Sequence, residues 1–206
     1  MTKTVEFIFD FVSPNGYLAW YPLKGVLQRT GAELVVTPVF LGGMHRLTGN
    51  APPMIRDKDV KGKVEYSSLE MRRFIERHGY DKFRLHPQFP FNSVTFQRML
   101  LAVEGEERVK LVETLLVALW EEGVAIDDPA AIGAKLAGAG FDAQALLEKT
   151  QDPAIKQQLI DNTSAAVERG AFGIPTFYVD RGEGPEMYFG KERLGQIEEY
   201  LNGGKP

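Results

Sequence analysis

Val5-Glu6-Phe7-Ile8-Phe9-Asp10-Phe11-Val12-Ser13-Pro14-Asn15-Gly16 is the stretch whose reading decides the fold. Its aromatic and β-branched first half reads as a strand. Ser13-Pro14 then reads as an N-cap followed by proline at the first helical position, with a helix running from about Tyr17 to Arg29. After Gly31 a second strand follows, Leu34-Val35-Val36-Thr37-Pro38-Val39-Phe40. Strand, helix, strand is the start of a βαβ unit with a right-handed crossover. The turn at Ser13 aims free backbone N–H groups and the positive end of a helix dipole at whatever lies beside the serine hydroxyl. Thiolates are stabilised in such places. The chain has no cysteine, so a sulfur at this turn would have to arrive with a ligand.

Working outward, Gly42-Gly43 and Gly49-Asn50-Ala51-Pro52-Pro53 read as a loop, and Val60 to Arg77 carries apolar residues at helical spacing. His86-Pro87 and Phe89-Pro90 break the chain. Helical periods return from Ser93 to about Ile126 around Gly105, from Pro129 to Leu147, and from Pro153 to Arg169. Asp128 and Asp152 stand before two of those prolines as N-caps. Beyond Gly170 the β signal returns as a hairpin, Pro175 to Asp180 and Glu186 to Phe189, and a last helix is predicted from about Glu192 to Leu201. Neither end holds enough strands to stand alone. The expected organisation is therefore one α/β domain, residues 1–45 and 170–206, interrupted by a helical insertion domain, residues 46–169.

Composition narrows the function. Of the 206 residues 44% are hydrophobic, enough for a core, and the absence of cysteine excludes disulfides, Cys-ligated zinc, iron–sulfur clusters and an intrinsic redox couple. The net charge of −4, spread along the chain, offers no basic stripe, so no nucleic-acid partner is expected. No apolar run approaches the roughly 20 residues that cross a bilayer, and Met1-Thr2-Lys3-Thr4 leads into a strand without a signal-peptide core. A soluble, cytoplasmic protein without membrane association is the expectation. His45, His78 and His86 lack metal-ligand spacing, and no Gly-x-Ser-x-Gly elbow makes Ser13 a hydrolase nucleophile.

Phe9-Asp10-Phe11-Val12-Ser13-Pro14, Tyr17-Leu18-Ala19, Gly49-Asn50, Arg56-Asp57, Phe172-Gly173-Ile174-Pro175-Thr176 and Phe189-Gly190-Lys191-Glu192-Arg193-Leu194, in this order and spacing, resemble the 2-hydroxychromene-2-carboxylate isomerases and the related kappa-class glutathione transferases. The resemblance covers essentially the whole chain. It implies a thioredoxin-like α/β fold of the DsbA and kappa type with an inserted all-helical domain. Ser13-x-x-Gly16 would stand where that fold carries two cysteines, with Pro175 as the cis-proline facing it. Two departures stand out: Asn15-Gly16 where the family has an aromatic and a small polar residue, and Lys191 where it has a small polar one.

The resemblance implies glutathione as cofactor. Ser13 would donate a hydrogen bond to its sulfur, and the Ile174 backbone beside Pro175 would pair with its extended peptide, a small case of strand addition. Gly190, Lys191 and Glu192 would hold the γ-glutamyl end, and Asn50 the glycyl end or the rim. Arg56 would bind a substrate carboxylate with its planar fork, helped by His45, while Phe91 and Asn92 would lie over the substrate ring. Each has a plainer reading. Ser13 can be only an N-cap, Ile174-Pro175 only a turn, Lys191-Glu192 the start of a helix, Asn50 a turn residue, Arg56-Asp57 a solvated pair, and Phe91 core.

The implied reaction is the cis–trans isomerisation of an unsaturated keto acid formed from 2-hydroxychromene-2-carboxylate, an aromatic carboxylate, within aromatic catabolism. Conjugate addition of the thiolate lowers the double-bond order, rotation follows, and elimination returns the thiolate. The alternative is a kappa-like transferase that consumes glutathione on small electrophiles, and a third possibility is a binding or scaffolding protein on a redox fold. A homodimer is expected.

Overall fold

The computed structural model describes residues 2–206. Strand β1 (Thr4–Phe9) leads into helix α1 (Pro14–Thr30) and strand β2 (Glu33–Pro38); β3 (Thr176–Asp180) and β4 (Glu186–Phe189) follow near the C-terminus, before a 3₁₀ turn (Lys191–Arg193) and α10 (Leu194–Leu201). The strands form one mixed sheet in the order β2-β1-β3-β4. β1 and β2 are parallel, with Phe7 opposite Val36, and β3 runs antiparallel to β1, with Phe7 opposite Phe177. This mixed sheet with flanking helices is the thioredoxin-like α/β arrangement that the resemblance implied.

Local chemistry explains the first unit. Ser13 takes extended backbone angles, and its Oγ accepts the Gly16 N–H, while Pro14 fills a helical position that needs no donor. α1 ends at Gly31, whose positive φ of 67° brings its N–H to the Leu27 carbonyl. The helix buries Leu18, Trp20 and Leu23 against the sheet, where Phe7, Phe9 and Phe177 are fully enclosed. Phe7 lies 4.7 Å from Phe177 and 6.1 Å from Trp20 between ring centroids. Each such side chain contributes about 1.5–3 kcal/mol through burial.

The middle of the chain is helical: α2 (Leu41–Thr48), α3 (Pro53–Arg56), α4 (Lys63–His78), α5 (Val94–Leu101), α6 (Gly105–Trp120), α7 (Pro129–Gly138), α8 (Ala143–Lys149) and α9 (Pro153–Glu168). Two differences from the sequence reading have plain causes. The Gly42-Gly43 loop is instead the first turn of α2: a Cβ at Gly42 would stand 2.8 Å from the Phe40 ring, so these glycines serve close packing rather than a turn. The helical spacing read from Pro129 to Leu147 falls into two helices, because Asp142 caps a new start by accepting the Ala145 N–H. Helices and sheet share one buried cluster running from Phe9 through Phe11 to Leu116 and Trp120. Trp120 Nε1 donates to the Phe11 carbonyl at 2.9 Å, tying α6 to the end of β1. No helix among the described residues is long and apolar enough to cross a membrane.

Candidate active site

At the C-terminal ends of β1 and β2 the backbones are still joined, the Val39 N–H donating to the Phe9 carbonyl at 3.1 Å, and Gln97 of α5 caps them. Its Nε2 donates to the carbonyls of Phe9 at 2.6 Å and Val39 at 2.8 Å. Just past these strand ends, between residues 12–15 and 40–42, opens a cavity of about 830 Å³, within the range of small-molecule sites. Ser13 and Asn15 from the first turn, Ile174 from the loop before β3, His45 from α2 and Arg56 from α3 all line it.

The first turn and the proline loop are in contact. Ser13, almost fully buried, donates from Oγ to the Ile174 carbonyl at 3.3 Å while accepting the Gly16 N–H. The Ile174–Pro175 peptide is cis. Among the described residues the Ile174 N–H makes no backbone hydrogen bond. The Asn15 Oδ1 is buried against the cavity with no partner. Proline at the first helical position leaves the N-terminus of α1 open, with its donors directed at the same place. These groups suit an extended thiol peptide: an unpaired amide beside a cis-proline, an unpaired acceptor, and a hydroxyl able to turn from a carbonyl to a sulfur.

A second group of residues is cationic. Arg56 grips Asp57 through Nε and Nη2, both at 2.8 Å, and its Nη1 reaches Asn50 Oδ1 at 3.4 Å. Asp57 is buried and also accepts Lys63 at 3.0 Å. The two cations hold its carboxyl well below the usual carboxylate range, the hydrogen bond from Arg56 first. One positive charge is left over. Burial, then the charge of Arg56, lowers the pKa of His45, keeping its imidazole neutral at physiological pH. Asn50 Nδ2 donates to the Phe172 carbonyl at 2.7 Å, joining this cluster to the proline loop.

Lys191 and Glu192 also line the cavity, arranged differently from a helix start that frees both charges. The Lys191 side chain is only 7% exposed; its ammonium pairs with Glu192 and sits 5.0 Å above the Phe74 ring. Glu192 is half exposed. Pro175 and Gly190 do not face the cavity: Gly190 donates its N–H to the Pro175 carbonyl at 3.0 Å and so backs the loop. Its φ of 104° suits glycine, and a Cβ there would meet the Glu192 carboxylate at 2.9 Å. Phe91 is buried against Trp120 and His86, with centroids at 5.7 and 4.9 Å, while its edge reaches the cavity beside Asn92. Sequence reasoning missed the α4 wall, Val64, Ser67, Glu70 and Met71, since helical periodicity does not say which face covers a cavity. It also passed over Asp10, a carboxylate between Phe9 and Phe11 whose polarity in an apolar run was the available signal.

Comparison with known proteins identifies the family and the fold. A family model described as the DSBA-like thioredoxin domain matches residues 4–202. A 2-hydroxychromene-2-carboxylate isomerase of Sphingobium xenophagum is 29% identical over 98% of this chain and 99% of its own. Glutathione S-transferase kappa 1 of Homo sapiens is 30% identical over 94% of this chain and 88% of its own. Among solved structures, a 2-hydroxychromene-2-carboxylate isomerase superposes with a TM-score of 0.79 at 27% identity, covering 97% of this chain and 94% of that one.

Proposed function

The chain belongs to the DSBA-like thioredoxin family, with relatives named as isomerases and glutathione transferases, and from that premise we propose that it is a glutathione-dependent isomerase. Its substrate is 2-hydroxychromene-2-carboxylate or a similar unsaturated keto acid. The observation that carries this reading is the hydrogen bond between Ser13 and Ile174 on the wall of a cavity that also holds Arg56. When bound, glutathione supplies a thiolate whose reversible addition to the substrate double bond permits rotation.

The chain's own residues provide the environment. Ser13 Oγ turns from the Ile174 carbonyl and donates to the sulfur anion, with the N-terminus of α1 behind it. A free thiol titrates at about 8.5, and each unit of lowering corresponds to about 1.4 kcal/mol of preference for the anion. The Ile174 N–H and the Asn15 amide pair with the peptide, and Lys191 with Glu192 takes the γ-glutamyl end. Arg56 is held in place by Asp57 and Asn50, so its remaining N–H positions are ready for a carboxylate. His45, uncharged, donates or accepts beside it without competing for that anion. Phe40, Phe89 and Met71 line the cavity as an apolar bed for the substrate ring.

The test is purified protein with glutathione and the chromene carboxylate, followed by absorbance, with and without Ser13→Ala. A rate unchanged in the variant removes Ser13 from the mechanism. Glutathione recovered intact after many turnovers supports the isomerase. Its stoichiometric loss supports the second reading, a kappa-like transferase, which the identity to the human kappa enzyme favours and which needs the same activated sulfur.

A further inference from the structure

Asp10 is fully buried at the end of β1, directly before the Ser13 turn. Its Oδ1 accepts the Val12 N–H at 3.1 Å and its Oδ2 the Leu41 N–H at 2.7 Å. Its own backbone carbonyl accepts the Ser13 N–H at 3.2 Å. One carboxylate thus fastens the turn that presents Ser13 to the first residue of the helix that presents His45, one turn further along. The other fasteners, Gln97 and Trp120, do not titrate. The charged or titratable side chains on the elements packed here are Glu6 on β1, Tyr17, Tyr21, Lys24 and Arg29 on α1, His45 and Arg46 on α2, and Arg98 on α5; none pairs with Asp10, and Glu6 is engaged by Arg169 at 2.7 Å. Ser93 Oγ is buried without a partner at strict hydrogen-bonding geometry, yet is close enough to favour the charged form.

We propose that Asp10 is a positioning residue whose ionised carboxylate clamps the Ser13 turn to α2 and so sets the spacing of the two cavity walls. The proposal rests on reading this cavity as the active site. Protonation turns one carboxyl oxygen into a donor and a poor acceptor. One of the two amides then loses its partner, and the walls are no longer tied through this group. Burial raises the Asp10 pKa to about 6, against the opposing amides and Ser93, so the clamp engages as pH rises through the mildly acidic range.

The experiment is an amide NMR titration of the full chain between pH 5 and pH 8, without ligand, followed by pH–rate profiles with glutathione and the chromene carboxylate. The Val12 and Leu41 signals are expected to move together with one midpoint, and that transition to be absent in Asp10→Asn. Amides that stay still in the wild type, or move with unrelated midpoints, overturn the clamp, and this arm needs no variant to fold. In the rate profiles Asp10→Asn is expected to lower kcat about 10- to 100-fold near neutrality, the cost of a misplaced wall, and to lose the acid limb centred on the amide midpoint. An acid limb retained in the variant overturns the positioning role. A wild type whose amides titrate but which does not isomerise this substrate retires the proposed substrate and keeps the clamp.

Discussion

Replacing Asp10 by asparagine tests the energetics of the buried carboxylate without reference to catalysis. An aspartate titrates near 3.8 when exposed and at about 6 in this fold, because burial outweighs the two amide hydrogen bonds and the nearby Ser93 hydroxyl. The folded-state value is the higher one, so between the two values the native state binds more protons than the unfolded chain. Stability then falls as pH rises through that window. Two units at about 1.4 kcal/mol each make the ionised group cost roughly 3 kcal/mol relative to its protonated form. Between about pH 4 and pH 7 the part of this developed is about 2 kcal/mol. The uncharged amide of the variant carries no such dependence. It leaves one backbone N–H without an acceptor, at about 1–3 kcal/mol, a cost that does not change with pH. The wild-type stability minus that of the variant, from urea unfolding at several pH values, is therefore expected to fall by about 2 kcal/mol from pH 4 to pH 7. Every other group is shared by the two proteins, so its contribution cancels from the difference. A constant difference, or one that grows in favour of the wild type, refutes the reasoning.

Arg56→Gln removes a charge-assisted partner worth about 1.5–3 kcal/mol, so KM for the chromene carboxylate is expected to rise about 10- to 100-fold in steady-state assays. The same variant should bring the His45 pKa part of the way back toward its ordinary value, read by imidazole NMR, because burial and then the Arg56 charge lower it, and only the charge is removed. With its folded value below the unfolded one, His45 contributes stability present above the unfolded value of 6.5 that is lost as pH falls below it and through the lower folded value. Lys191→Met should weaken glutathione binding about tenfold or more in calorimetry, by removing the cation beside Glu192; unchanged affinity would detach this pair from the γ-glutamyl end. Trp120→Phe deletes the bond to the Phe11 carbonyl and leaves that acceptor buried, an expected loss of about 1–3 kcal/mol in urea unfolding.

Where the chain's own neighbours fix a feature, the residues announced it. The Ser13 cap, the Asp128 and Asp152 caps before proline and the closing hairpin all depend on contacts a few residues apart, and each stands where the pattern put it. Gly42-Gly43 was illegible for the opposite reason. A glycine pair is the same signal for a turn and for a close approach, and only the Phe40 ring decides between them. The candidate site divides in the same way. Ser13 and Pro175 were legible as a pair only through the family resemblance, whose fold brings the first turn to the loop before β3; each alone reads as a cap and a turn. Gln97 at the nearby strand ends was not: its amide joins Phe9 and Val39 across separations of 88 and 58 residues. Asp10 reaches Leu41 across 31. Nothing local marks a glutamine on an apolar helix as the bridge between two strand ends.

The charges around the cavity divide its work. At the sulfur position the donors are neutral: a hydroxyl, a backbone amide and a helix terminus, which favour an anion without bringing a counter-ion that would itself need desolvation. The full charges are held in clusters on other segments. Lys191 and Glu192 cancel, and a cancelled pair attracts best a ligand end that carries both signs, as an amino-acid terminus does. Arg56, Lys63 and Asp57 do not cancel, and the surplus is one cation whose fork is already oriented by Asp57. A carboxylate that arrives there neutralises the excess and finds its partner in position, so little side-chain entropy remains to be lost. On the proposed function, a zwitterionic terminus, an anionic sulfur and a carboxylate would be distinguished by the local sign of the field before any contact of shape is made, and that order of charges would join the cofactor and the substrate in one cavity.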